Sequence, residues 1–236
     1  MRRVAWFSCG AASAVAAKLS GAHEVVYCDT MQSEHADNFR FFTEVQEWLG
    51  RPIKAIRSDK YTSIDDVFFR TRYMSGIAGA RCTVEMKKLP RVAFQRPYDI
   101  HIFGYTADEQ KRADAFEDNN PDLQVEWTLI EKGITKAHCL KILADAGIKL
   151  PAMYSLGFDH NNCIGCVKAT SPGYWTKVRQ HFPQIFKRRA EQSRALGVRL
   201  ARVNNVRVFL DELKDDFTTP DDAIECGPIC QTELDL

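Results

Sequence analysis

The strongest constraint on this chain is a repeated alternation. A short apolar run is followed by a turn of small or polar residues, and then by a stretch with helical spacing. Arg3–Phe7 is the first apolar run; it stops at Ser8-Cys9-Gly10 and gives way to the alanine-rich stretch Ala11–Leu19. Alanine favours helix and lets it pack closely on a sheet. Glu24–Cys28 is the second apolar run, and residues 52–56, 99–103 and 125–130 suit three more strands. Phe39, Phe42, Val45 and Leu49 recur at helical spacing, which predicts a helix over residues 34–49 capped by Ser33. Residues 64–70, 84–94 and 109–116 also read as helices, the second bent near Pro90, and Gly76 and Gly79 mark a flexible loop before Cys82. Strands alternating with helices predict an α/β fold with a doubly wound, mainly parallel sheet of five to six strands. Ligands of such sheets bind beyond the carboxyl ends of the strands. Segments 8–13, 29–34 and 104–112 follow strands and are expected to line one crevice.

The character changes after about residue 135. Residues 1–135 form the expected α/β core, and residues 136–236 a Cys-rich, largely helical extension packing on the same domain. The extension holds a helix at 136–146, a loop with Cys163 and Cys166, a basic helical stretch at 173–196, one or two strands within 202–213, and an acidic tail with Cys226 and Cys230.

Eight cysteines are many for a chain of this size. The basic start, Met1-Arg2-Arg3, precedes an apolar run too short for a secretory signal, so that run reads as a strand and a cytoplasmic location is expected. Thiolate chemistry in a reducing compartment is therefore expected in place of a disulfide framework. A formal net charge of +1 gives no overall attraction to nucleic acid or membrane. No run approaches the roughly 18–20 apolar residues of a membrane span, so no membrane partner is expected.

Three groups of residues suit chemistry. The strand–turn–helix step at Ser8, Cys9, Gly10, Ala11 and Ser13 suits an anion, because backbone N–H groups and a helix dipole converge there; a plain tight connection is the alternative. Cys163-Ile164-Gly165-Cys166 suits a zinc site, a cluster or a redox dithiol, with two unconnected thiols as the plain alternative. Cys82, Cys226 and Cys230 offer further sulfur, whereas Cys9, Cys28 and Cys139 fall in core elements and suit inert packing. Arg81, Lys87 and Arg112 lie beside the candidate loops and suit phosphate or sulfate, while Lys187-Arg188-Arg189 suits a solvated helix face.

In their order these residues resemble the assimilatory sulfonucleotide reductases, of phage and bacterial type, within the adenine-nucleotide α-hydrolase (PP-loop) group. Residues 8–15 resemble the family's phosphate loop; Asp29-Thr30 with Glu34 resembles the segment after its second strand. Cys82 with Lys87 and Pro90 is similar to its cysteine–lysine–proline segment, and Gly104-Tyr105 with Asp108, Glu109 and Arg112 to its arginine loop. Leu156-Gly157-Phe158 before Cys163-Ile164-Gly165-Cys166, and Glu225-Cys226-Gly227, resemble its two C-terminal motifs. Cys82 and Cys163 stand about 80 residues apart, as in the cluster-containing branch.

The resemblance implies an adenine nucleotide bound at Ser8, Cys9, Gly10, Ala11, Ser13, Asp29, Thr30, Glu34, Lys87, Gly104 and Arg112. It implies a [4Fe–4S] cluster on Cys82, Cys163 and Cys166 with Cys230 as fourth ligand, zinc being the alternative metal, and Cys226 as the nucleophile. The substrate class is adenylyl sulfate or phosphoadenylyl sulfate, and the reductant a thioredoxin-like thiol. Three departures stand out. Arg81 replaces one of two adjacent cysteines, so Cys226, Cys230 or an open iron completes the set; Ser13 replaces the aspartate of ATP-using relatives; and Tyr105 replaces an arginine. Two alternatives follow: an ATP-dependent sulfurtransferase acting on tRNA or DNA, and a non-catalytic nucleotide-binding redox sensor. A homodimer is an open expectation.

Overall fold

The computed structural model describes residues 1–77, 79–161, 163–214, 216–218 and 220–221. Its first half contains β1 (Arg3–Phe7), α1 (Ala11–Leu19), β2 (Glu24–Cys28), α2 (Asn38–Leu49), β3 (Ile53–Ile56) and α3 (Ile64–Thr71). The two-residue strands β4 (Ser75–Gly76) and β5 (Gly79–Ala80) precede α4 (Arg81–Thr83), a π-helical turn at Val84–Lys88, α5 (Leu89–Phe94) and β6 (Ile100–Ile102). The second half adds α6 (Gln110–Asp118), β7 (Gln124–Glu126), α7 (Thr128–Glu131), α8 (Lys136–Asp145), α9 (Ala152–Ser155), α10 (Pro172–His181), α11 (Pro183–Leu196), β8 (Ala201–Val203) and β9 (Val206–Val208).

Five strands form one parallel sheet, ordered β3-β2-β1-β6-β7, flanked by helices; the fold is α/β. The chain runs outward from β1 to β3 and then returns to the other side of β1. That reversal puts the topological switch between β1 and β6, where such sheets open a crevice. Val4 through Phe7 are all buried, as expected of a central parallel strand covered on both faces.

Three cores result. On one face of the sheet, Ala5, Phe7, Val25 and Tyr27 meet α1, α2 and α8 through Val15, Phe41, Val45 and Leu143. On the other, Val4, Trp6, Val26 and Phe103 meet Phe116 and Trp127. The third core joins residues 61–86 to residues 153–213, including Phe68, Met74, Cys82, Cys163, Cys166, Tyr174, Trp175 and Leu210. Burial of each large apolar side chain contributes about 1.5–3 kcal/mol. By packing, therefore, α8 lies with the sheet, while the segment carrying Cys82 lies with the later cysteines.

Several local expectations are corrected. Ser33 does not cap α2: it ends a 3-10 turn, Met31–Ser33, and the helix starts at Asn38 because Glu34 is drawn into side-chain hydrogen bonds with Tyr27 and Thr30. Arg81 to Phe94 is one continuous helical run, and its irregularity is a π turn, Val84–Lys88, just ahead of Pro90. Gly76 and Gly79 pair in a small antiparallel hairpin. The fifth strand ends at Glu126, and Thr128–Glu131 turns helical. The basic stretch divides at Pro183, which begins a second helix. No helix among the described residues is long and apolar enough to cross a membrane.

Candidate functional site

The Cys163–Cys166 turn has no ladder of its own, so other groups must hold its peptide units. The phenol of Tyr174, fully buried, accepts from the Cys166 N–H at 2.9 Å and donates to the Cys163 carbonyl at 3.4 Å. Burial keeps that phenol protonated, well above its ordinary range. Ile164 N–H donates to the Ser33 carbonyl at 2.9 Å, which ties the turn to the loop after β2. Gly165 adopts φ +66°, a conformation that suits glycine.

Cys82 lies in the first turn of the helical stretch that starts at Arg81 and shares a core with this turn. A small cavity is lined by the sulfur-bearing residues Cys82, Cys163 and Cys166, by Thr83 and apolar side chains, and by Lys87 and Arg189. All three cysteines are buried. Lys87 is buried too, and its carbonyl accepts from the Cys28 thiol at 3.6 Å. The cavity thus gathers three thiols and two cationic side chains, with no carboxylate among the described residues of its wall.

Beside it lies the loop after β1. Cys9 stands at φ +58°, which costs a non-glycine residue about 1–2 kcal/mol. Ser13 accepts from the Ser8 N–H and donates to the Gly10 carbonyl, both at 3.0 Å, so the expected phosphate loop closes on itself. Asn161 donates to the Cys9 carbonyl at 2.7 Å and to Asn38 Oδ1 at 2.8 Å. Asn38 in turn donates to Glu34 at 2.7 Å, and Glu34 also accepts from Thr30 and Tyr27. This chain of hydrogen bonds joins the loops after β1 and β2 to the approach to Cys163. Burial pushes the Tyr154 phenol up to about 12.

The third expected loop closes the crevice. A Cβ on Gly104 would meet Ser13 N at 2.5 Å, so only glycine lets the end of β6 press against the start of α1. Tyr105 stacks on Trp127 with centroids 5.1 Å apart, and Arg112 lies 4.4 Å over the Tyr105 ring while pairing with Glu109. On the far side of β2, Asp29 pairs with Arg57 at 2.7 Å and borders a cleft of about 530 Å³ that also takes in Tyr61, Thr62 and Met86. That volume is in the range of small-molecule sites.

Sequence reasoning missed Asn38, Asn161, Tyr174, Arg57 and Arg189. The first four carry no spacing signal, and Arg189 was hidden in a basic run: it is 2% exposed and turned inward, unlike its exposed neighbours Lys187 and Arg188. Cys9, Cys28 and Cys139 are buried packing thiols; burial pushes Cys9 up, Cys28 up to about 12 and Cys139 up to about 11. Cys226 and Cys230 lie outside the described residues. The described chain reaches Asp221, whose carboxylate pairs with Lys177 at 2.6 Å and accepts from Asp159 N–H at 3.1 Å, beside the cysteine turn.

Among the described residues no group of three His, Cys, Asp or Glu side chains is arranged to hold a metal ion. The three thiols share a cavity wall rather than one coordination sphere. As donors they fit a thiolate-ligated centre, since an all-sulfur set suits soft metals and iron–sulfur clusters. The cavity itself is about 10 Å³, the room of about one water, so seating a four-iron centre requires the Cys82 turn and the cysteine loop to separate. No protein-family model matches the chain, and no curated protein matches it.

Proposed function

We infer that this chain is a sulfonucleotide-reductase-like iron–sulfur protein of the adenine-nucleotide α-hydrolase type, acting on adenylyl sulfate or phosphoadenylyl sulfate. One observation carries the reading. Cys82 and the Cys163/Cys166 pair, far apart in sequence, line one buried cavity with Lys87 and Arg189 in its wall. The loops after β1 and β2 are linked to the cysteine turn and its approach through Asn161 and Ser33.

In this reading Cys82, Cys163 and Cys166 hold the cluster, with Cys230 as fourth ligand. A [4Fe–4S] centre bound there supplies a fixed local field beside the substrate. The adenine nucleotide occupies the crevice, its phosphate facing the start of α1 and its sulfate facing Lys87. Lys87 and Arg112 oppose the anionic charge of the sulfate ester. The Cys226 thiolate attacks the sulfonyl sulfur; an S–S bond forms and the S–O bond to phosphate breaks. AMP, or its 3′-phosphorylated form, leaves with the bonding pair. A thioredoxin-like dithiol then attacks Cys226 Sγ and expels sulfite; its second thiol resolves the mixed disulfide and regenerates Cys226. Sulfur(VI) becomes sulfur(IV) as the dithiol becomes a disulfide.

The test is anaerobic purification with iron and acid-labile sulfide counting, followed by assay of sulfite release from adenylyl sulfate with a thiol reductant. Iron near four per chain and sulfite without ATP are expected. Cys226→Ser should abolish sulfite release and keep nucleotide binding. A colourless protein that releases no sulfite, or a Cys226→Ser variant that still releases it, overturns the assignment.

A further inference from the structure

Between Cys163 and Cys166 the carbonyl of Gly165 points away from Tyr174 toward α11. There the Arg189 Nε donates to it at 3.1 Å. The rest of the guanidinium continues to Asp65 Oδ1 on α3 and to Gln192 Oε1 at 2.6 Å, and it lies 5.3 Å over the Phe68 ring. Gln192 also donates to Asp65 at 3.2 Å, and Arg188 stands 3.4 Å from the other Asp65 oxygen. A guanidinium this buried is costly unless it is paired and its N–H groups are used. Here the polar partners are a carboxylate from α3, the Gln192 amide and the backbone of the cysteine turn. Contact at the turn is tight: a Cβ on Gly165 would meet Ile185 at 3.0 Å and Arg189 Cγ at 3.2 Å.

We propose that Arg189 is a positioning residue: by holding the Gly165 carbonyl, with Asp65 bracing it from α3, it fixes the direction in which Cys163 and Cys166 face the cavity they share with Cys82. The role as a ligand positioner rests on the reading of these cysteines as cluster ligands. Arg189 reaches the turn through the Gly165 peptide carbonyl, and the effect proposed here is geometric. Removing it frees one side of a four-residue turn that no strand or helix supports, while Tyr174 still holds the other side.

The test uses the full-length chain, metal-free and anaerobic, with iodoacetamide alkylation of each cysteine read by peptide mass. In Arg189→Gln, labelling of Cys163 and Cys166 accelerates, while Cys82 and Cys139 keep their original rates. Arg189→Lys restores most of the protection, and Asp65→Asn gives an intermediate effect. If Arg189→Gln does not fold, Asp65→Asn and Arg189→Lys carry the same comparison. Unchanged labelling at Cys163 and Cys166, or equal acceleration at all four cysteines, overturns the proposal. In parallel, iron and sulfide reconstitution should leave Arg189→Gln with about tenfold less retained iron. Should the original chain take up no iron while the labelling pattern holds, the cluster reading falls and the positioning role stands. Should Arg189→Gln load as well as the original chain, the positioning role falls alone.

Discussion

The sheet core and the cysteine core are held by different physics. In the sheet, each strand's backbone is satisfied by its neighbours in register, and apolar side chains fill both faces. In the cysteine core, the turn that matters is irregular, and its peptide groups are held one at a time by Tyr174, Ser33 and Arg189. A ladder tolerates the loss of one side chain because its bonds are in the main chain. A turn held by side chains does not. The difference teaches where to look for sensitivity: polar substitutions should act in the second region, and volume changes in the first.

The largest expected contrast concerns metal. Cys82→Ser, Cys163→Ser and Cys166→Ser should each lower retained iron by about tenfold or more, whereas Cys139→Ala, in the sheet core, should leave it unchanged; iron per chain decides. Next comes Gly104→Ala, whose added methyl would press on the backbone of Ser13 and should destabilise by about 1–3 kcal/mol in urea unfolding. It should weaken nucleotide binding without altering iron content. Tyr174→Phe tests the opposite region: it leaves the buried Cys166 N–H without its acceptor, at about 1–3 kcal/mol, and should lower iron retention too. Equal iron loss in Gly104→Ala and Tyr174→Phe would erase the distinction between the two cores.

Acid should separate the regions further. His101, stacked in the sheet core and accepting from the Trp6 indole N–H at 3.0 Å, is pushed down to about 4 by burial and by Arg91. The unfolded chain therefore takes up a proton that the folded chain refuses. Stability from this group is complete above pH 6.5 and falls as pH drops toward 4, by up to about 1.4 kcal/mol per pH unit. His101→Phe should flatten that slope while lowering stability overall, since the Trp6 N–H loses its acceptor. Asp65 gives the smaller effect. Burial opposes its charge, but Arg189, Gln192 and Arg188 hold its carboxyl below the usual range. Its contribution is present at neutral pH and lost only as pH falls through that depressed value, below about pH 4. Loosening of the cysteine turn, read by hydrogen exchange at the Ile164 and Cys166 amides, should thus begin at lower pH than the loss of sheet stability, and Asp65→Asn should remove that step.

Much of the sheet was legible in the sequence because its signals are local. Arg3–Phe7 and Glu24–Cys28 are apolar runs bounded by turns, and both are strands with the expected limits. The start of α2 was misjudged because Glu34, a good first-turn residue, has stronger partners in Tyr27, Thr30 and Asn38. Of the candidate site, the cysteines and Lys87 could be named from type and spacing. Asn161 and Arg189 could not, because an asparagine in a loop and an arginine in a basic run look like solvent-facing residues until their partners are known.

By itself, the order of residues determined the alternation of strand and helix, the small-residue step after β1 and which sulfurs were available, since period, propensity and residue chemistry act over a few neighbours. Only the tertiary structure decided that Cys82 meets Cys163 and Cys166, that Arg189 turns inward to Gly165 and Asp65, and that Gly104 abuts Ser13. Those meetings join segments tens of residues apart, and they are set by how three cores close together, which no local pattern encodes.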